Sequence, residues 1–281
     1  MRVEAFCPGH ITCFFRPCRD ESEPLRSGSV GAGLCLELGA IARAEDGDGV
    51  ELLFSGSPAE ARVTRRALEI LGVDGVTVDI DHQLPLGQGM GMSAAGALSA
   101  CLAVAELRGI PREDAFRTAH LAELEMGGGM GDVSGLLGTG QSTRRRAGIP
   151  PHGEVCSQAW ELEISLAFLG PPLATAEILR DERRMSRIDS LGAEALQNFL
   201  QNPSMGSLFK EANEFSSGCG LESDALQKAM ELVRPHAYCG MAMLGNALYM
   251  AGDLDQAESA LAVPCRRVRL DLLGPRIIRK G

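Results

Sequence analysis

The segment from residue 84 to 96, LPLGQGMGMSAAG, constrains the fold more than any other part of the chain. It follows an alternating apolar stretch with Val76, Val78 and Ile80, which predicts a strand. It leads into an Ala- and Leu-rich run that predicts a helix beginning near Ser93. A glycine-broken loop before a helix N-terminus collects unpaired backbone N–H groups and the positive end of the helix dipole. The segment therefore predicts an anion cradle, and a polyphosphate is its natural ligand.

Two common phosphate-binding loops fit this segment poorly. A Walker A loop needs Lys followed by Ser or Thr after its last glycine, whereas this run closes as GMSA at 91–94. A dinucleotide-binding loop places its first glycine directly after the strand, whereas several residues intervene here. A tight turn that only packs a strand on a helix is the structural alternative. Gly87, Gly89 and Gly91 allow positive φ in either case.

Composition excludes several classes of protein. The net charge of −10 argues against a nucleic-acid surface and favours a small-molecule partner, with the run Arg144–Arg146 as a local exception. No apolar run approaches the roughly 18 residues of a membrane helix, and no signal peptide pattern is present, so we expect a cytoplasmic protein. The nine cysteines contain no Cys-x-x-Cys pair, so neither a zinc site nor a disulfide framework is predicted.

The pattern of elements predicts two domains, 1–150 and 151–281, because the run PPHG at 150–153 cannot continue a helix or a strand. In the first half the pattern predicts strands over 3–6, 34–41, 50–54 and 76–80, and helices over 58–71, 93–108 and 111–126. The second half begins with a strand over 160–169. It is otherwise predicted to be mostly helical, over 190–201, 206–216, 223–233 and 254–262.

Five segments carry a resemblance to the GHMP kinases. The cradle resembles their second motif, with Met92 in place of its first serine. CPGHIT at 7–12 resembles the first motif, and GMAMLGN at 240–246 lies where the third belongs. With PLRSGSVGAG at 24–33 and GMGDV at 129–133, the combination is most similar to the archaeal branch that phosphorylates pantoate, a hydroxy acid of the coenzyme A pathway.

The resemblance implies a two-domain α+β fold, with an N-terminal nucleotide-binding domain, a ferredoxin-like C-terminal domain and the active site in the cleft between them. It implies an ATP- and Mg²⁺-dependent kinase that converts pantoate to 4-phosphopantoate, and it is compatible with a homodimer. The residues implied to bind ATP are those of the cradle: Pro85, Gly87, Gly89, Gly91, Met92, Ser93 and Ala94.

Ser93 and one carboxylate of the helix 111–126 are the candidate metal ligands. Ser93 could bind Mg²⁺ or a phosphate through its hydroxyl, and the structural alternative is a helix N-cap. Glu123 projects within an apolar stripe of the helix, whereas Glu125 points to one side, as a solvated carboxylate does. A carboxylate on a buried stripe needs a partner or a metal. The family's Ala-to-Glu spacing, here Ala119 and Glu123, also implies a magnesium ligand.

Asp132, His10 and Arg144 complete the candidate site. Asp132 closes a glycine-rich segment and is the catalytic base by resemblance, or a turn aspartate otherwise. His10 stands where some relatives have a lysine, and it is a candidate hydrogen-bond donor to the substrate or a phosphate. Arg144 is the resemblance's candidate for the substrate carboxylate, with an exposed basic run as the alternative. Strand alternation predicts that Arg145 faces away from Arg144 and Arg146.

Two other functions remain open on the sequence. The first is a GHMP kinase for another small hydroxy acid, such as mevalonate or homoserine. The second is a non-catalytic relative that keeps the fold as a binding module. The presence of Ser93, Glu123 and Asp132 together argues against the second, since a degenerate member is expected to have lost at least one of them.

Overall fold

The computed structural model describes residues 1–127, 131–172 and 181–281, which form two β-sheets covered by helices. The first sheet contains β1 (Arg2–Cys18), β2 (Gly28–Asp46), β3 (Val50–Phe54), β4 (Ser57–Pro58), β5 (Val76–His82), β6 (Gln141–Arg146), β7 (Glu154–Gln158) and the C-terminal β12 (Arg276–Lys280). Its strand order is β12-β1-β2-β5-β3-β4, and β6 pairs with both β2 and β7. The helices of this half are α1 (Arg62–Leu71), α2 (Met92–Arg108), α3 (Arg112–Met126) and the short α4 (Asp132–Leu136).

The second sheet contains β8 (Glu163–Phe168), β9 (Ala237–Met241), β10 (Ala247–Gly252) and β11 (Cys265–Arg269). Its helices are α5 (Glu182–Gln201), α6 (Met205–Gly218), α7 (Asp224–Val233) and α8 (Leu254–Ala260). The strand order β11-β8-β10-β9 is antiparallel throughout, with α5 to α7 between β8 and β9 and α8 between β10 and β11. This βαββαβ order is the ferredoxin-like arrangement, so the expected α+β fold is confirmed.

The helix α2 is the core of the first half. Its Ala-rich sequence is buried on nearly every side, from Ala94 to Ala105, and packs on β1, β2 and α3. A helix that is apolar all round belongs in an interior, and alanine lets its neighbours approach closely. Ser93 is the exposed exception, at the end of the helix next to the cradle. Within the described ranges, no helix combines the length and the apolar character that crossing a bilayer requires.

The long hairpin of β1 and β2 exceeds the two short strands predicted at 3–6 and 34–41. Pro8 and the glycines of both strands look like breaks in the sequence, but the structure accommodates them with irregular pairing at Pro8/Gly9 and at Thr12/Phe14. Proline and glycine are tolerated in strands at such bulges. The first motif, CPGHIT, therefore lies within β1, where it pairs with β2.

The second half was predicted with too few strands. The strands β9, β10 and β11 are absent from the prediction, and the segment given only as a third motif contains the end of β9 and the turn to β10. The helix α5 also starts earlier than the predicted residue 190. Residues 128–130 of the glycine-rich segment before Asp132 lie outside the described ranges. The domain boundary at residue 150 stays a prediction, and β7 and β12 belong to the first sheet although they follow that residue.

Gly245 provides a test of how the two sheets meet. A Cβ at this residue would lie 2.1 Å from the carbonyl carbon of Gln88 and 2.5 Å from the Gly89 nitrogen. We expect Gly245→Ala to lower the free energy of unfolding by roughly 1–3 kcal/mol, since backbone cannot move aside as a side chain can. Gly49→Ala is the control, because a Cβ there meets nothing within 4 Å. Equal urea denaturation curves for the two variants would contradict the tight packing.

Candidate active site

The loop between β5 and α2 has the backbone geometry that the sequence predicts for an anion cradle. Gly87, Gly89 and Gly91 have φ of 73°, 77° and 60°, in the left-handed region that favours glycine. The helix begins at Met92, with Gly91 as its N-cap and no side-chain capping bond. Its first N–H groups therefore have no intrahelical acceptor and point to the loop. The N-cap explanation of Ser93 is wrong, because Ser93 is the second helical residue and its side chain is exposed.

Three other members of the predicted cradle contribute differently. Met92 is 2% exposed and packs in the core, so only its backbone N–H is available to a ligand. Pro85 is exposed at the start of the loop. Ala94 is buried in the first turn of the helix and brings its backbone alone. Ser93 is therefore the residue of the helix start with a polar side chain that a ligand can reach.

Three sequence segments that resemble family motifs converge at the cradle. The His10 N–H donates to the Met90 carbonyl at 3.0 Å, which joins the first motif to the second. The Met243 N–H donates to the Thr12 carbonyl at 3.2 Å, which joins the third motif to the first. Gly89 lies so close to the third motif that a Cβ would be 2.6 Å from the Ala242 carbonyl oxygen. Glycine at this position is therefore required by both its φ and its neighbours.

Glu123 holds the start of α4. Its side chain is 3% exposed, and its two carboxylate oxygens accept the Asp132 and Val133 N–H groups at 2.9 and 3.0 Å. A carboxylate at a helix N-terminus satisfies donors that otherwise have no partner. Burial, followed by the charge of Asp132, raises the pKa of Glu123 to about 8. The buried carboxylate is thus a group that gains from a nearby cation.

Glu125 lies on the other side of the same helix, as helical geometry predicts. Its side chain is exposed and accepts a hydrogen bond from Arg66 Nε at 2.6 Å. The expected difference between a buried Glu123 and a solvated Glu125 is therefore confirmed. An exposed ion pair of this kind contributes little to stability.

Asp132 is the first residue of α4 and lies between Glu123 and Arg144. Burial raises the pKa of its carboxyl, and the Arg144 charge opposes that shift. Asp132 and Arg144 do not approach within ion-pair distance among the residues described. Because Asp132 forms no such pair, its carboxylate remains able to accept a proton or a hydrogen bond from a ligand.

Arg144 is buried on β6, so the exposed-run explanation is wrong for this residue. It is 1% exposed, and Nη1 lies 3.5 Å from His10 Nε2. Its Nε is buried and has no hydrogen-bond partner in the part of the chain that the structure describes. Burial lowers the pKa of this guanidinium. The negative charge of Asp132 is the largest of the effects that raise it. A buried guanidinium without an ion-pair partner is costly, and an anionic ligand would relieve that cost.

His10 lies behind Arg144 and binds protein groups with both ring nitrogens. Its Nε2 is 3.0 Å from Ser142 Oγ, and its Nδ1 is 3.4 Å from Thr12 Oγ1. Burial, followed by the Arg144 charge, lowers its pKa well below the usual value, so the ring is neutral at neutral pH. A neutral ring can accept at Nε2 from Arg144. These contacts position the arginine rather than present the imidazole to a ligand.

Gly135 explains how α4 reaches this pair. A Cβ on Gly135 would lie 2.8 Å from Arg144 Nη1 and 2.9 Å from His10 Cε1. The short helix therefore rests directly on the arginine and the imidazole, with no side chain between them. Asp132 and Arg144 are brought to one place by this contact, although twelve residues and a change of element separate them in the sequence.

His120 is a residue of the site that the sequence analysis missed. It is fully buried on α3, one turn before Glu123, and its ring lies against the backbone of Pro24 and Ser27, although neither ring nitrogen reaches full hydrogen-bond geometry with a described residue. A Cβ on Gly28 would lie 3.7 Å from its Cε1 and 3.6 Å from the Gly131 Cα, so the ring and the residue that precedes Asp132 both border Gly28. Burial lowers its pKa to about 4. The i, i+3 spacing to Glu123 was the available signal.

The comparisons with known proteins agree with this geometry. Residues 60–139 match the family model described as the GHMP kinases N terminal domain. The chain is 32% identical to a pantoate kinase of Thermococcus kodakarensis, covering 92% of this chain and 91% of that protein. It is 28% identical to a pantoate kinase of Methanocaldococcus jannaschii, covering 92% and 96%. The chain belongs to the GHMP kinase family.

A solved structure extends the similarity to the whole fold. It is described as a phosphotransferase related to the CoA biosynthesis pathway, and it superposes with a TM-score of 0.89 at 30% identity over 99% of both chains. Family membership confirms the expected class of enzyme, an ATP-dependent phosphotransferase that acts on a hydroxyl group. The family resemblance carried by the five sequence segments is confirmed as well.

The raised pKa of Glu123 gives a prediction that does not depend on activity. Because the folded carboxyl keeps its proton up to a pH of about 8 while the unfolded one loses it near 4.5, wild-type stability falls as the pH rises through that window. Glu123→Gln has no proton to lose. We therefore expect the variant to gain on the order of 1 kcal/mol or more relative to wild type between pH 5 and pH 8, without nucleotide or metal.

Chemical denaturation at several pH values measures this difference, and the pH dependence of groups distant from Glu123 and Asp132 cancels. Glu125→Gln is the matched control on the same helix, and its curve should run parallel to that of wild type, since surface changes usually stay within about 0.5 kcal/mol. A constant gap between wild type and Glu123→Gln over the whole range would show that Glu123 is ionised in the folded protein at all these pH values.

Proposed function

We propose that this protein transfers the γ-phosphate of ATP to the primary hydroxyl of pantoate and releases 4-phosphopantoate and ADP. The observation that carries the proposal is the buried Arg144 beside Asp132, because a small hydroxy acid supplies both the anion and the hydroxyl that these two side chains lack. The two relatives described as pantoate kinases support this choice of substrate.

The nucleotide phosphates would lie in the cradle. The left-handed glycines bring backbone N–H groups close together, and the helix dipole of α2 favours negative charge at that point. The Ser93 hydroxyl, exposed at the second helical residue, would bond a phosphate oxygen or the metal. The positive charge that phosphoryl transfer needs comes here from backbone dipoles rather than from a lysine of the loop.

The residues present fit a magnesium ion. Mg²⁺ takes oxygen ligands and is usually bound by one or two carboxylates together with substrate phosphates. Glu123 and Ser93 would hold it. Burial disfavours the charged form of Glu123 and raises its pKa, and a bound cation would stabilise that charged form. When bound, the ion neutralises charge that develops on the phosphate oxygens. Each Glu123 oxygen keeps further lone pairs beyond the one that accepts a backbone N–H.

The acceptor would be held by Arg144 and Asp132. A guanidinium binds a carboxylate through two parallel hydrogen bonds, which fixes the orientation of a small acid as well as its position. The Asp132 carboxylate would then accept the proton of the primary hydroxyl, or hold that hydroxyl in line for attack. His10 would act as a positioning residue behind Arg144.

A direct assay separates this proposal from its alternatives. ADP release is measured with pantoate, mevalonate, homoserine and galactose as acceptors. Phosphorylation of pantoate alone or with clear preference supports the proposal. Preference for another acid would identify a different kinase of the family, and no turnover of any acceptor would favour a binding module.

Ser93 and Asp132 are expected to act in catalysis rather than in folding. We expect Ser93→Ala and Asp132→Asn each to lower kcat by about 100-fold or more, because the first removes a contact made in the transition state and the second removes a proton acceptor. Asp132→Asn keeps the shape and hydrogen bonds of the side chain but cannot take a proton, so it separates a base from an orienting group. Thermal melts should show both variants folded, and near wild-type turnover in Asp132→Asn would remove the base from the mechanism.

Arg144 is expected to set the affinity for the acceptor. Loss of a charge-assisted hydrogen bond is worth roughly 1.5–3 kcal/mol, so Arg144→Ala should raise the KM for pantoate about 10- to 100-fold and leave the KM for ATP unchanged. Arg144→Lys should recover only part of the loss, because a point charge cannot reproduce the guanidinium fork.

The neighbouring Arg145→Ala is the control, since that side chain is exposed. It should change neither KM. An effect of Arg144→Ala on ATP alone would assign the arginine to the nucleotide phosphates. The partner of the acceptor carboxylate would then be sought among the other cationic or donor side chains.

A further inference from the structure

A cavity outside the candidate active site is lined by several positively charged side chains. Its volume is about 560 Å³, within the range of small-molecule sites. The polar part of its lining comes from Arg26, Arg145, Arg146 and His152. Among the described residues no acidic side chain lines it, and Arg144, Asp132, Glu123 and His10 are not part of its wall. This arrangement stands out in a chain whose net charge is −10.

A bulge in β6 creates the cluster. Regular alternation predicted that Arg146 shares a face with Arg144, and this prediction is wrong, because the pairing with β7 slips between Arg144 and Arg146. Two residues on a bulged strand oppose one on its partner, which changes the direction of the side chains that follow. Arg144 is therefore buried, while Arg145 and Arg146 are exposed and both line the cavity.

These guanidiniums form no ion pair within the described ranges. Neither Arg26 nor Arg145 nor Arg146 forms an ion pair there, and Glu154, the cross-strand partner of Arg146, does not pair with it. The Arg146 Nε donates to the His152 carbonyl oxygen, which fixes that side chain at the edge of the cavity. Like charges held together at one place cost free energy unless an anion joins them.

The chemistry of the lining selects the class of anion. A phosphate monoester carries nearly two negative charges and three acceptor oxygens, which match several guanidinium forks better than a single carboxylate does. The rest of the wall is less polar, with Val30, Ala147, Pro151 and Cys18. We propose that this cavity is a binding site for a phosphorylated organic molecule, with its phosphate on Arg145 and Arg146 and its carbon skeleton on the apolar wall.

Phenyl phosphate is the probe, because it joins one phosphate to one apolar ring. It is titrated calorimetrically into the whole protein, with AMP-PNP, Mg²⁺ and pantoate present to occupy the candidate active site. We expect one saturable site that Arg145→Gln weakens by about 10-fold or more, with a larger loss in the double variant Arg145→Gln/Arg146→Gln. Arg279→Gln, an equal charge change on exposed β12 at the other end of β1, should bind as wild type does.

Two further ligands test the class of anion. Phenylacetate keeps the ring but offers a carboxylate, and inorganic phosphate keeps the phosphate but lacks the ring, so both should bind more weakly than phenyl phosphate. Arg145→Gln should retain the kinase activity of wild type. Weaker binding of phenyl phosphate to this variant would assign the binding site to the cavity, whether or not pantoate is the acceptor.

The proposal fails if phenyl phosphate shows no saturable binding, if Arg145→Gln binds it as tightly as wild type, or if pantoate alone displaces it. It also fails as an organic phosphate site if inorganic phosphate or phenylacetate binds equally well. The Arg145 side chain forms no hydrogen bond with another described residue, so its replacement should leave the fold intact. Unchanged thermal melts of this variant would confirm that a loss of binding is local.

Discussion

The buried carboxylate of Glu123 is the interaction on which the candidate site depends. It ties the last turns of α3 to the first N–H groups of α4, and so places Asp132 and Gly135 at the same time. Without a buried acceptor, these N–H groups would be unsatisfied at the start of a five-residue helix that has little stability of its own. The raised pKa shows that the arrangement is costly in the absence of a cation. The same bond that orders the helix therefore leaves a carboxylate ready to interact with positive charge.

The charges around this bond are distributed so that a ligand completes them. Burial disfavours the charged forms of Glu123, Asp132 and Arg144 alike. In the described structure, neither carboxylate forms an ion pair with the guanidinium. His10 adds no charge, because its ring is neutral, but it holds the guanidinium from behind. Such preorganised and unpaired groups are typical of sites that bind a charged substrate and stabilise its transition state. A metal on the carboxylate side and an acid on the arginine side would balance both.

Close backbone approach is the second constraint, and glycine provides it. The cradle, the turn after β9 and the hairpin strand β1 meet with so little space that a Cβ at Gly89 or Gly245 would overlap backbone atoms of the other segment. The ferredoxin-like half therefore contributes directly to the shape of the cradle. On the far side of β6, a one-residue slip in pairing has a comparable effect, because it releases Arg145 and Arg146 from strand alternation and gathers them in a separate cavity.

The sequence by itself determined the local features. The cradle, the long apolar helix after it, the burial of Glu123 and the exposure of Glu125 follow from periodicity and from the conformations open to glycine, and these act over a few residues. Only the tertiary structure decided the burial of Arg144 and the contact that His10 makes with it. It also decided the position of His120 next to Gly28 and the bulge that redirects Arg145 and Arg146. Each of these depends on strands and helices distant in sequence, and the hydrogen-bond register and close packing that join them leave no periodic signal in a single segment.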